Sequence, residues 1–168
     1  VFLQENPGYG LSLYDKHSDQ TGVCYTSRLR PIFNMRPKTG VWSFNADTHV
    51  TDWLEKIGQG FDVVTDEDIH QEGLAAIEPY RVVITGAHPE YWTTPMWDAM
   101  VAYQGQGGRL MYLGGNGFYW RIAYHDALPG VLELRRAEGG MRYQTTEPGE
   151  YHQSFNGELG GLWRRLGA

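Results

Sequence analysis

Between residues 44 and 114 the apolar positions alternate between two periods. Val50, Trp53, Leu54 and Ile57 recur at i, i+3, i+4 and i+7, which gathers side chains on one helix face. The spacing predicts a helix over 48–57, with Asp47 as its N-cap and Gly58 and Gly60 as its stop. Residues 61–65 (FDVVT) read as a short strand, followed by a helical turn over 68–76. Residues 81–86 (RVVITG) form a more apolar run, of the kind found where both sheet faces are covered. Thr94-Pro95 opens a helix over 94–105 that carries Met96, Met100 and Tyr103 on one face, and Gly107-Gly108 ends it. Residues 109–113 (RLMYL) give a third strand. The order β-α-β-α-β with short links predicts a doubly wound, mainly parallel α/β sheet, with 61–66, 81–86 and 108–114 as neighbours. Residues 10–14 read as loop, 131–136 and 141–145 as short strands, and the Gly-rich tail from Glu147 as a cover over the sheet. No repeat or linker divides the chain, so 1–168 is expected to form one α/β domain.

In such a sheet ligands bind beyond the carboxyl ends of the strands, and all three ends carry polar residues. The first runs into Asp66-Glu67-Asp68, the second into His88-Pro89-Glu90, and the third into Gly114-Gly115-Asn116-Gly117. An imidazole and a carboxylate two residues apart can offer a base and a metal ligand to one cavity. The alternative for His88 and Glu90 is a solvated loop. Asn116 stands where related folds put a nucleophile on a sharp turn; an amide cannot attack, but it can donate to an oxyanion. The alternative is a plain turn, and the missing Lys and Ser/Thr exclude a P-loop. The Asp66–Asp68 acids suit either a hard cation or a helix N-terminus, and the second is favoured.

Charge and composition narrow the function classes. A net charge of -6 argues against nucleic acid. The basic pairs Arg135–Arg136 and Arg164–Arg165 read as solvated surface. One cysteine, Cys24, excludes an internal disulfide framework and fits a reducing cytoplasm. It has no nearby His to activate it, so it reads as a small hydrophobe. No apolar run approaches the length of a membrane span. Six Trp, eleven Tyr and six Phe are many, which suggests that some line a pocket. The chain opens on Val in mid-phrase, and the expectation is that neither Val1 nor Ala168 is a natural terminus.

Several phrases together resemble the large, catalytic subunit of the N,N-dimethylformamidases. They are YGLSLYD (9–15), FNADTH (44–49), DVVTDED (62–68), TGAHPEY (85–91), GGNGFYWR (114–121) and the tail from EYH (150–152) to GGLWRR (160–165). The resemblance implies a piece of the carboxy-terminal half of a longer chain, with a glutamine-amidotransferase-like fold. It implies hydrolysis of N,N-dimethylformamide to dimethylamine and formate at a mononuclear, ferric iron held by two tyrosines and a glutamate. Tyr9 and Glu90 resemble two of the ligands, and the other tyrosine is expected upstream of Val1. His88 and Asn116 resemble polar groups beside the metal, and Phe118, Tyr119 and Trp120 the aromatic walls of a substrate pocket. The implied partners are a small subunit and further copies of the large one. Two other readings compete: a catalytically silent binding or scaffold domain of the same fold, and a hydrolase of another amide. Intact Tyr9, His88 and Glu90 favour an enzyme over the silent domain.

Overall fold

The structure, a computed structural model, describes residues 7–31, 40, 42, 44–137 and 146–166. In chain order the elements are β1 (Tyr25–Ser27), α1 (Phe44–Lys56), α2 (Asp66–Glu72), β2 (Val82–Ile84), β3 (Tyr91–Trp92), α3 (Thr94–Gly105), β4 (Arg109–Met111), β5 (Trp120–Tyr124), β6 (Val131–Leu134) and β7 (Gly161–Leu162). Where the sequence reads as one domain over 1–168, the chain folds as two units, 34–117 and 1–33 with 118–168.

Within 34–117, β2 and β4 pair in parallel with Val83 opposite Leu110. This is the expected pairing of 81–86 with 108–114. Between the two strands, α3 is capped by Thr93, one residue before the Thr94 of the sequence reading, and the Thr93 side chain accepts from the Met96 amide at 3.4 Å. Met96, Ala99, Met100 and Tyr103 are 0–4% exposed. They follow the i, i+3, i+4, i+7 rule, and burying a side chain such as Met96 or Met100 contributes about 2 kcal/mol. The Tyr103 hydroxyl donates to the Tyr80 carbonyl at 3.0 Å. Gly108 is obligatory there, because a Cβ would run into the Tyr103 ring.

The third expected parallel strand is absent: residues 61–65 carry no strand, and Asp66 opens α2. Thr65 is the reason. Its hydroxyl accepts from the Asp68 amide while the Asp68 carboxylate accepts from the Thr65 amide at 2.8 Å, a capping box that turns extended chain into helix. The acids of 66–68 therefore occupy a first helical turn, as favoured. Helix α1 begins at Phe44 rather than at 48, so Asp47 lies inside its first turn and is no N-cap.

In the other unit the sheet is antiparallel. β6 pairs with β1 (Tyr25 opposite Glu133) and with β5 (Ala123 opposite Glu133), and β7 pairs with β5. Six residues, 125–130, join β5 to β6. That is too short for a parallel crossover, so the pair must be antiparallel. Among the described residues, the mainly parallel sheet of the sequence reading is thus represented by the single pair β2–β4. Residues 10–14 form no strand, as expected. The tail supplies β7, and the expected strand 141–145 lies outside the described residues.

Arg135 and Arg136 are not solvated surface: they are 7% and 4% exposed. Arg135 is bound by Glu133 and Glu150, and Arg136 donates to the Leu13 carbonyl at 2.7 Å with its guanidinium over the Tyr14 and Trp120 rings. Burial pushes the half-buried Cys24 thiol above its ordinary pKa, which agrees with an inert side chain. No helix among the described residues is long and apolar enough to cross a membrane.

Candidate active site

The loops that follow β2 and β4 stay laced together past the strand ends. Thr85 donates its amide to the Met111 carbonyl at 3.1 Å, Leu113 donates to Thr85 Oγ1 at 3.2 Å, and Gly115 donates to the Ala87 carbonyl at 3.1 Å. This close approach explains Gly114. A Cβ there would stand 2.6–2.8 Å from Pro89 Cδ and the Gly86 and Ala87 carbonyl oxygens. The Trp92 indole donates to the Pro89 carbonyl at 2.7 Å and holds the far end of the first loop.

The lacing brings together three of the side chains picked out by sequence. His88 Nε2 lies 3.4 Å from Glu90 Oε2 and 3.3 Å from Asn116 Nδ2. Glu90 is 7% exposed and the His88 side chain 25%. His88 Nδ1 is buried and meets no hydrogen-bond partner among the protein atoms. A buried N–H without a partner costs more than a buried lone pair. We therefore assign the proton of neutral His88 to Nε2, facing Glu90. The amide of Asn116 then turns its oxygen to the ring. The Trp42 ring sits against the imidazole, with centroids 5.1 Å apart.

Asn116 has φ +50, a left-handed conformation that Asn tolerates better than most residues. The turn is held by the Gly117 amide, which donates to the Tyr112 hydroxyl at 2.9 Å. Phe118 follows at φ +54, a costly value for a bulky side chain.

Sequence reasoning missed Asp47 as part of this site. Its Oδ1 accepts the Ala87 amide at 2.5 Å, one residue before His88. The signal available was its place in FNADTH, but a helix start at 48 disguised it as a cap. Asp66 is an exposed residue whose carboxyl is crowded by surrounding protein. That dehydration, and secondarily the charge of Asp47, pushes its pKa up to about 6. Access of solvent moderates the effect, and the direction is upward.

The remaining candidates belong to the other unit. Tyr9 ends a 3-10 turn and is 59% exposed. Trp120 is 3% exposed, with the Tyr119 ring edge-on at 5.1 Å and the Arg136 guanidinium 5.3 Å from its ring. Among the described residues no three His, Cys, Asp or Glu side chains form a group that could hold a metal ion. Glu90 offers one buried anionic oxygen donor of the kind a hard cation takes.

A histidine, a buried carboxylate and an amide on a left-handed turn, converging past the ends of parallel strands, define a site of acid–base or ligand-binding type in an α/β unit. Residues 6–168 match the family described as N,N-dimethylformamidase beta subunit-like, C-terminal. The chain is 46% identical over 161 residues to the N,N-dimethylformamidase beta subunit of Paracoccus aminophilus. It is equally similar to the beta subunit of the same name from Alcaligenes sp. Each alignment takes in 93% of this chain and 21% of the relative. The chain belongs to the N,N-dimethylformamidase beta subunit-like family, and it spans about a fifth of the length of the curated relatives it matches.

Proposed function

We propose that this chain is the proton-handling and metal-holding segment of a hydrolase of small N-substituted amides such as N,N-dimethylformamide. The observation that carries the reading is the convergence of His88, Glu90 and Asn116 at 3.3–3.4 Å, in a chain whose relatives are named N,N-dimethylformamidase. Those beta subunits are close to five times the aligned length. That length supports reading them as the large subunit, with a smaller subunit and further copies of the large one as partners. The parallel pair with its flanking helices supports a glutamine-amidotransferase-like fold.

Each residue has a distinct role in this reading. By resemblance Glu90 and Tyr9 would each be a ligand of ferric iron, which would supply Lewis acidity toward an amide carbonyl. The His88 imidazole, once in the tautomer that frees Nε2, takes a proton from the attacking water there and returns one to the departing amine nitrogen. The Asn116 amide turns to donate to the carbonyl oxygen as negative charge grows there. Phe118 and Tyr119 are the aromatic side chains retained for the N-methyl groups. Trp120, already covered by Tyr119 and Arg136, supports them.

Metal analysis and steady-state kinetics of the full-length subunit with its partner separate ligand from base. Glu90→Ala is expected to lose iron and turnover together. His88→Ala is expected to keep most of its iron while turnover falls about a hundredfold. Full iron and normal turnover in Glu90→Ala would remove the loop from the metal site.

A further inference from the structure

Both polar groups of the Ala87 backbone are held from outside the loop. Its carbonyl accepts from Gly115 on the β4 side, and its amide donates to Asp47 Oδ1 on the first turn of α1. The next residue is His88, and Glu90 is two further on. Gly86 admits the carboxylate: a Cβ there would stand 2.9 Å from Asp47 Oδ1 and 3.2 Å from its Cγ. The helix, the strand extension and the loop therefore meet at one residue, and only the Asp47 tie runs through a side chain. A charge-assisted bond of this kind is shorter and stronger than a neutral one.

We propose that Asp47 is a positioning residue: by accepting the Ala87 amide, its carboxylate sets where the His88 imidazole and the Glu90 carboxylate stand. What those two groups do rests on the function proposed above; the tie itself does not. Asp47 touches no reacting atom in this scheme. It acts through the backbone, and a small displacement of an acid–base group is enough to lower turnover.

The test uses the full-length subunit with its partner and reads hydrogen–deuterium exchange over residues 85–91 beside the kinetics. Asp47→Ala is expected to exchange about tenfold faster there, with α2 and α3 protected as before, since one local hydrogen bond is lost. Turnover should fall about tenfold with KM near its original value, which a general loss of stability would not produce. Asp47→Asn keeps a weaker, neutral acceptor and should lie between the two. Gly86→Ala should reproduce Asp47→Ala, and the double variant should be no worse than either single one, because both remove the same contact. Should Asp47→Ala fail to fold, Asp47→Asn and Gly86→Ala carry the same readout. Unchanged protection of 85–91 in the folded variants, or additive effects in the double variant, overturns the proposal. Faster local exchange in an enzyme that hydrolyses no small amide would uphold Asp47 and sink the proposed activity instead.

Discussion

Glu133 and Glu90 are both buried glutamates close to a β-strand, and their surroundings differ in kind. Glu133 is fully buried. It accepts from Arg135 Nε at 2.6 Å and from the Ser154 amide, the Ser154 hydroxyl and the Phe155 amide at 3.0 Å each. Arg135 in turn reaches the Tyr25 hydroxyl at 2.7 Å and Glu150 Oε2 at 2.8 Å. This network gives its charges near-ideal bonds, the condition under which a buried ion pair is tolerated. Between Glu90 and His88 the gap is 3.4 Å, longer than a good charge-assisted bond. The lesson is that burial alone does not sort a carboxylate into structure or function. The chemistry of the neighbour does: Glu133 meets a guanidinium that keeps its charge, and Glu90 meets an imidazole whose proton can move.

The sharpest way to break this comparison is Glu133→Ala. It takes the buried carboxylate from Arg135 and leaves the Ser154 and Phe155 donors without their acceptor, and equilibrium denaturation should show a loss of about 3–5 kcal/mol. A loss below about 1 kcal/mol would show the network to be dispensable and the contrast with Glu90 empty. Gly114→Ala comes next, since its Cβ meets backbone oxygens that cannot yield. Overpacking should cost about 1–3 kcal/mol in a denaturant titration. A neutral result would mean that the two loops can part without penalty. The smallest effect belongs to Asp66→Asn, because the residue is exposed and the α2 N-terminus welcomes negative charge. The folded-state pKa of Asp66 is about 6 against an ordinary 3.8, so ionisation opposes folding. The variant should be the more stable above pH 6, its advantage shrinking as pH falls from 6 to 3.8 and absent below. Thermal melts across that range check the sign, and a gain that grew toward acid pH would reverse it.

Some of this was legible in the sequence because local pattern and tertiary fold agree. Residues 81–86 and 108–114 are apolar runs closed by glycine, and they pair in parallel as expected. Pro95 and the Met96–Met100–Tyr103 face mark α3 within one residue. The strand expected at 61–65 failed because its apolar residues are not a core face: Val63 is 74% exposed, and Thr65 commits the chain to a helix. His88 and Glu90 could be chosen together because they sit two residues apart at a strand end, and Asn116 because it follows the neighbouring strand. Asp47 was hidden, since its bond to Ala87 spans forty residues. The Glu133–Arg135 network was hidden for the same reason. Its partners Tyr25, Glu150 and Ser154 are scattered along the chain, so two adjacent arginines looked like surface.

The Gly117–Tyr112 hydrogen bond also bears on chemical lifetime. Asn-Gly is the dipeptide most prone to deamidation, in which the following backbone nitrogen attacks the side-chain carbonyl, closes a succinimide and expels ammonia. In this fold the proton of that nitrogen is committed to the Tyr112 hydroxyl at 2.9 Å, and the Tyr112 ring lies against the Gly117 Cα. Ring closure at Asn116 must first break that contact. Deamidation would leave a carboxylate beside His88 and Glu90, placing a second acid where the fold sets an amide. The phenol that shapes the turn thus also guards its amide against ageing.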